Sequence, residues 1–128
     1  MSDLGPRVLV IDDDTTVRRM LGELISCLGY APDLAPDGRE GLARFTGGQY
    51  AAVVTDVRMP GVNGWQVAST VRRLRPDVGV VVISGSMTAV HPPEDDVLRS
   101  ANLVILPKPF GLGELRSALT RVLGSLAG

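Results

Sequence analysis

Hydrophobic residues along this chain fall into two patterns: short unbroken runs, and longer stretches in which they recur every three or four positions. The runs Arg7–Asp12 (RVLVID), Tyr50–Thr55 (YAAVVT), Asp77–Ile83 (DVGVVVI) and Leu103–Leu106 (LVIL) have the look of parallel strands buried on both faces. Ala31–Ala35 is a weaker run interrupted by Pro32, which cannot donate a ladder hydrogen bond, and this predicts an edge strand. Val17, Met20, Leu21, Leu24, Ile25 and Leu28 keep a helical period and predict an amphipathic helix from Thr15, stopped by Gly29. A turn at Pro36-Asp37-Gly38 leads into a short helix over Arg39–Phe45, ended by Gly47-Gly48. The loop DVRMPGVNGW, punctuated by Pro60, Gly61 and Gly64, precedes a helix expected over Gly64–Leu74. Between Ser84 and Ala101, Gly85, Pro92 and Pro93 break the pattern, leaving an irregular segment with a short helix over Glu94–Ala101. Leu112, Leu115, Leu119, Val122 and Leu126 mark a final amphipathic helix.

Strand and helix thus alternate throughout, with five of each expected. No repeat or linker interrupts them, which predicts a single α/β domain with a parallel sheet and right-handed crossovers. A length of 128 residues fits one domain, and the 4% aromatic content fits small-faced layers better than an aromatic-rich sandwich. Thirteen Lys plus Arg against fourteen Asp plus Glu leave a net charge of -1, so no broad basic field exists to attract nucleic acid or anionic lipid directly. No apolar stretch approaches the roughly 18 residues of a membrane span, and the N-terminus lacks a secretory signal pattern. The single cysteine, Cys27, excludes an intramolecular disulfide, and a cytoplasmic setting is expected. Flanked by core positions, Cys27 reads as a partly buried small apolar residue.

The chemistry-bearing residues collect where the strands end. Asp12 and Asp13 close the first strand, Asp56 the third and Ser84 the fourth, and Lys108 follows the fifth. In open α/β sheets ligands bind beyond the carboxyl ends of the strands. If the first and third strands are neighbours, three carboxylates crowd together, and either protonation or a hard divalent cation must relieve the repulsion, with Mg²⁺ the natural partner. Each residue also has a plainer role on its own. Acids at strand ends can cap helices, as Asp14 with Thr15 is expected to do; a lone Ser84 is a turn residue, and a lone Lys108 a solvated one. His91, in a Pro-rich loop without a second ligand, reads as exposed, and Trp65 as packing locally. The leucine stripe of the last helix suits a sheet-facing helix and would equally serve a dimer face.

Taken in order, IDD, TDVRMPGVNG, ISG and LPKPF resemble the receiver domain of two-component response regulators, of the chemotaxis-regulator kind, across nearly the whole chain. The resemblance implies a flavodoxin-like, doubly wound five-stranded parallel sheet of order 2-1-3-4-5, a three-layer sandwich with helices on both faces. It places one receiver domain over residues 1–128, with a core from about 6 to 126. It implies that Asp56 is the phosphoacceptor, taking a phosphoryl group from a sensor histidine kinase or a histidine phosphotransfer protein. Mg²⁺ would be bound by Asp13, Asp56 and the backbone carbonyl of Arg58, and through water by Asp12. Lys108 would contact a phosphoryl oxygen, and the Ser84 hydroxyl would hydrogen-bond the phosphoryl group after transfer, shifting affinity for an unknown downstream protein. The Lys108–Pro109 bond would be cis. Arg58 and Ser86 occupy positions that tune phosphoryl lifetime in the family.

Two positions depart from the family pattern. Ile105 stands three residues before the lysine, where an aromatic switch residue is usual, and His91-Pro92-Pro93 lengthens the approach to the fourth helix. Three alternatives follow from the residues. VLVIDDDTT also fits a haloacid-dehalogenase-like phosphatase with Asp12 as nucleophile and Asp14 as general acid, although Asp95-Asp96 come too early for its later acidic pair and Asp56 is left without a role. A degenerate receiver serving only as a protein-binding module would suit Ile105. A dinucleotide-binding domain is disfavoured, because the first strand leads into acids instead of a Gly-rich loop. The chain is expected to be either a stand-alone regulator, which Met1 favours, or the receiver of a hybrid kinase or longer regulator.

Overall fold

The computed structural model describes residues 5–85, 96–98 and 102–127. Five strands, β1 (Arg7–Ile11), β2 (Ala31–Ala35), β3 (Ala52–Asp56), β4 (Gly79–Ser84) and β5 (Leu103–Pro107), form one parallel sheet in the order β2-β1-β3-β4-β5. Among the described residues the connections carry α1 (Thr15–Cys27), α2 (Gly38–Gly47) and α3 (Gly64–Leu74), and α4 (Leu112–Ala127) follows the last strand. Of the helix expected over Glu94–Ala101, a single 3-10 turn at Asp96–Leu98 is described, and the rest lies outside the described residues. So do Ser86 and His91.

The alternation of side chains along each strand explains why the sheet takes helices on both faces. Val8 and Val10 of β1, Val54 of β3 and Val81 and Ile83 of β4 pack with Leu21 and Ile25 of α1 and with Leu115, Leu119 and Val122 of α4. Leu9, Ile11, Val53, Val80 and Val82 point the other way, onto Phe45 of α2 and Val67, Ala68 and Val71 of α3. The result is the three-layer sandwich expected. β4, the most apolar run, lies inside the sheet between β3 and β5 and is buried throughout, whereas β2 with Pro32 is an edge.

Helix boundaries follow from their caps. Asp14 accepts hydrogen bonds from the N–H groups of Thr16 and Val17 and so starts α1. Gly29, at φ 95°, takes the left-handed conformation that ends it. Asn63 and Gln66 exchange hydrogen bonds at 2.8 and 3.0 Å in a capping box that fixes the first turn of α3. Cys27 and Met20 correct the sequence reading: both are exposed, because the helical rotation carries them away from the face that buries Leu21 and Ile25.

Candidate functional site

Register decides which strand ends meet. β1 pairs with β3 so that Ile11 lies opposite Thr55, which sets Asp12 beside Asp56, the last residue of β3. Asp12, Asp13 and Asp56 each present a carboxylate oxygen, and the three oxygens lie within 4.8 Å of one another. From the other side, Ser84 at the end of β4 pairs with Pro107, and the Lys108 N–H donates to the Ser84 carbonyl at 2.8 Å. This pairing directs the Lys108 side chain over the acids, with Nζ 3.6 Å from Asp56 Oδ2. The Lys108–Pro109 peptide is cis.

The three acids differ in burial. Asp13 is exposed, Asp56 is largely covered and Asp12 is fully buried. Burial first, and the charges of Asp56 and Asp13 after it, raise the Asp12 pKa to about 6, against the lowering pull of the Asp14 N–H and of Lys108. That N–H donates to Asp12 Oδ1 at 2.9 Å. Asp12 Oδ2 is buried with no hydrogen-bond partner among the described residues. An orphaned buried carboxylate oxygen is costly, and a proton or a cation would relieve it. A set of carboxylate oxygens at a partly open strand end is the donor chemistry that Mg²⁺ prefers, so the residues present fit that ion.

The loop after β3 doubles back tightly onto the end of that strand, where the Gly64 N–H donates to the Val57 carbonyl at 2.9 Å. A Cβ at Gly64 would lie 2.1 Å from the Asp56 carbonyl oxygen, so only glycine lets α3 start this close to the end of β3. Gly61 turns the chain at φ 76°. The Arg58 N–H reaches back toward Asp56 Oδ1 at 3.4 Å. Shallow depressions flank the acids, one lined by Val57, Arg58, Met59 and Asn63 and another by Asp13, Asp37, Arg39 and Pro60, leaving the strand ends open to an incoming group.

The structure therefore brings together Asp12, Asp13, Asp56 and Lys108, and sets buried Ser84 on the neighbouring strand end. Arg58 lies exposed at the rim, and Ile105, half-buried on β5, pairs with Val82 one strand away. Trp65 packs against the α2/α3 core. Asp14 caps α1 through Oδ1, the plainer role expected of it. One contact at the site was not read from the sequence: Arg18, on the second turn of α1, donates to the Asp12 carbonyl at 2.8 Å. Its only sequence signal is an arginine six positions after the first acid.

Residues 8–120 match the response regulator receiver domain family. The chain belongs to that family. It is 35% identical over 123 residues to the response regulator MprA of Mycolicibacterium vanbaalenii, covering 91% of this chain and 50% of that protein. It is 34% identical to the DNA-binding transcriptional regulator NtrC of a Bradyrhizobium species, covering 91% of this chain and 24% of that one. This receiver thus spans half or less of these relatives. Among solved structures, the response regulator TrrA of Thermotoga maritima in complex with Mg²⁺-BeF superposes with a TM-score of 0.80 at 30% identity, covering 93% of this chain and all of that one. These similarities establish a receiver of two-component systems with a flavodoxin-like fold and lend no support to the haloacid dehalogenase alternative. Among the described residues, no helix is long and apolar enough to cross a membrane.

Proposed function

We propose that this receiver takes a phosphoryl group onto Asp56 from a phosphohistidine of a sensor histidine kinase or histidine phosphotransfer protein. An Asp56 carboxylate oxygen attacks phosphorus, the P–N bond breaks with its electron pair returning to the imidazole, and an acyl phosphate remains on Asp56. Asp13, Asp56 and the Arg58 carbonyl, with Asp12 through water, would hold Mg²⁺, which would supply positive charge to offset the phosphoryl oxygens. Lys108 Nζ donates to a phosphoryl oxygen, and the Ser84 hydroxyl donates to another after transfer. The chain catalyses only its own phosphorylation and dephosphorylation. As a single receiver over residues 1–128, working in the cytoplasm, it passes the signal to a downstream protein by shifting a conformational equilibrium. Ile105 requires that shift to proceed without rotation of an aromatic ring.

The observation that carries this reading is the convergence of Asp12, Asp13 and Asp56 within 4.8 Å, with a buried Asp12 oxygen left unpaired. Lys108, 3.6 Å from Asp56, adds the cation that phosphoryl transfer needs. The test is intact mass after incubation with Mg²⁺ and acetyl phosphate. One phosphoryl group is expected on the native chain and on Asp12→Asn at reduced level, and none on folded Asp56→Asn. No addition to the native chain from acetyl phosphate or from several histidine kinases would replace this reading with a degenerate binding module.

A further inference from the structure

We propose that Arg18 is a positioning residue for the carboxylate cluster, clamping the Asp12 peptide from α1 so that Asp12 and Asp13 are held ready for the cation. The inference rests on the metal-binding reading above. Asp12 lies one residue beyond the end of β1, where ladder hydrogen bonds give out. Its N–H is still tied to the Ala35 carbonyl at 3.3 Å, and its Oδ1 accepts from the Asp14 N–H at 2.9 Å. Its carbonyl oxygen is taken by Arg18 Nη1 at 2.8 Å, while Arg18 Nη2 lies 3.4 Å from Thr15 Oγ1. The Asp12 carbonyl and the Asp13 N–H share one planar peptide, so fixing that oxygen fixes the direction in which Asp13 leaves the chain. The Arg18 backbone N–H also donates to the Asp14 carbonyl at 2.8 Å, closing the first turn of α1. The guanidinium therefore ties the peptide between Asp12 and Asp13 to the start of α1.

Arg18 does this through the backbone. Its guanidinium meets the Asp12 carbonyl, whereas Lys108 faces the carboxylates, with Nζ 3.6 Å from Asp56 Oδ2. Loss of the guanidinium should therefore loosen the geometry while leaving the phosphoryl-contacting charge in place. Groups that orient metal ligands typically change affinity by 10- to 100-fold when removed. Arg18 acts one peptide away from the carboxylates, so an effect near the lower end is expected.

The experiment compares the native 128-residue chain with Arg18→Ala, Arg18→Lys and the distant core variant Leu123→Ala as a stability control. Three quantities are read: the Mg²⁺ dissociation constant by calorimetry, amide hydrogen exchange at Asp13 and Asp14 without Mg²⁺, and the rate of phosphoryl uptake from acetyl phosphate at saturating Mg²⁺. Arg18→Ala is expected to weaken Mg²⁺ binding by about tenfold. It should also speed exchange at both amides, with the saturated rate changed by less than about twofold. Arg18→Lys should fall between, because an ammonium can reach the carbonyl but cannot bridge to Thr15 as well. Leu123→Ala should lose stability with Mg²⁺ affinity unchanged. The inference is overturned if Arg18→Ala loses stability like Leu123→Ala and keeps native Mg²⁺ affinity and exchange. If the native chain itself binds no Mg²⁺, the metal-binding reading fails and takes this inference with it.

Discussion

Asp12 and Asp33 sit on adjacent parts of the same sheet, yet their surroundings treat them in opposite ways. Asp33, in the middle of the edge strand β2, accepts hydrogen bonds from the Tyr50 hydroxyl, from Arg7 at 3.2 Å and from Arg44 at 3.0 Å. Its carboxyl group is held below the usual carboxylate range, chiefly by the Tyr50 hydrogen bond, with the two arginines adding to it. Arg44 also pairs with Glu40 at 2.7 Å, and Arg7 lies 4.7 Å over the Tyr50 ring. Asp12 is more deeply buried, stands near two like charges, and keeps one oxygen without a partner among the described residues. The edge network is complete as it stands, whereas the strand-end cluster is complete only when something positive is added. The unsatisfied oxygen lies at the open strand ends, where a cation can reach it, whereas the satisfied carboxylate ties the edge strand to its neighbours.

The largest expected effect belongs to Lys108, the cation facing Asp56. Lys108→Ala should slow phosphoryl uptake from acetyl phosphate by about 10- to 100-fold, measured by intact mass against time. Little change in thermal stability should accompany it, because the lysine is partly solvated.

Asp12→Asn should separate stability from binding. The Asp12 pKa is about 6 in the folded chain against 3.8 for the unperturbed group, so the folded state binds the proton more tightly than the unfolded one. Asp12 therefore costs stability increasingly as pH rises from about 4 through 6, and the full cost is present at neutral pH. Without Mg²⁺, Asp12→Asn should be more stable than native at pH 7 by about 1–3 kcal/mol in urea unfolding, and the gain should vanish near pH 4. Mg²⁺ affinity should fall at least about tenfold in this variant. In the native chain it should weaken as pH drops below about 6, when a proton competes for Asp12.

Asp33 should behave in the reverse sense. Its lowered pKa means that its stabilisation is present above the unfolded value near 3.8 and is lost as pH falls through the folded value. Asp33→Asn should cost about 1 kcal/mol at pH 7 and leave Mg²⁺ affinity untouched. The smallest effect is expected for Tyr50→Phe, about 0.5–1 kcal/mol by urea unfolding, again without change at the strand ends. A shift in Mg²⁺ affinity in either edge variant would break the division between the two regions.

The contrast also marks what could be read from the chain. α3 is bounded at Gly64 and Leu74 as expected, because Asn63 and Gln66 cap it locally and its apolar period is regular. The strand-end residues were legible because parallel strands all deliver their last residues to one rim, so position in the run fixes location. The Asp33–Tyr50–Arg44 network was not, because its members are 11 and 17 residues apart and meet only once β2, α2 and the segment before β3 have packed. The Arg18 contact is illegible in the sequence for a related reason: its partner is a backbone carbonyl, which any residue supplies. Cys27 was misplaced because sequence neighbours in the core say little about a residue rotated by about 100° from them.

The most direct test of Asp56 as acceptor is to locate the acyl phosphate chemically. After treatment with Mg²⁺ and acetyl phosphate, borohydride reduction converts an aspartyl phosphate to an alcohol that peptide mass spectrometry can place in the sequence. An alcohol at position 56 alone, lost when Mg²⁺ is chelated, is the result expected from the site geometry. An alcohol at position 12 with position 56 unmodified would contradict it.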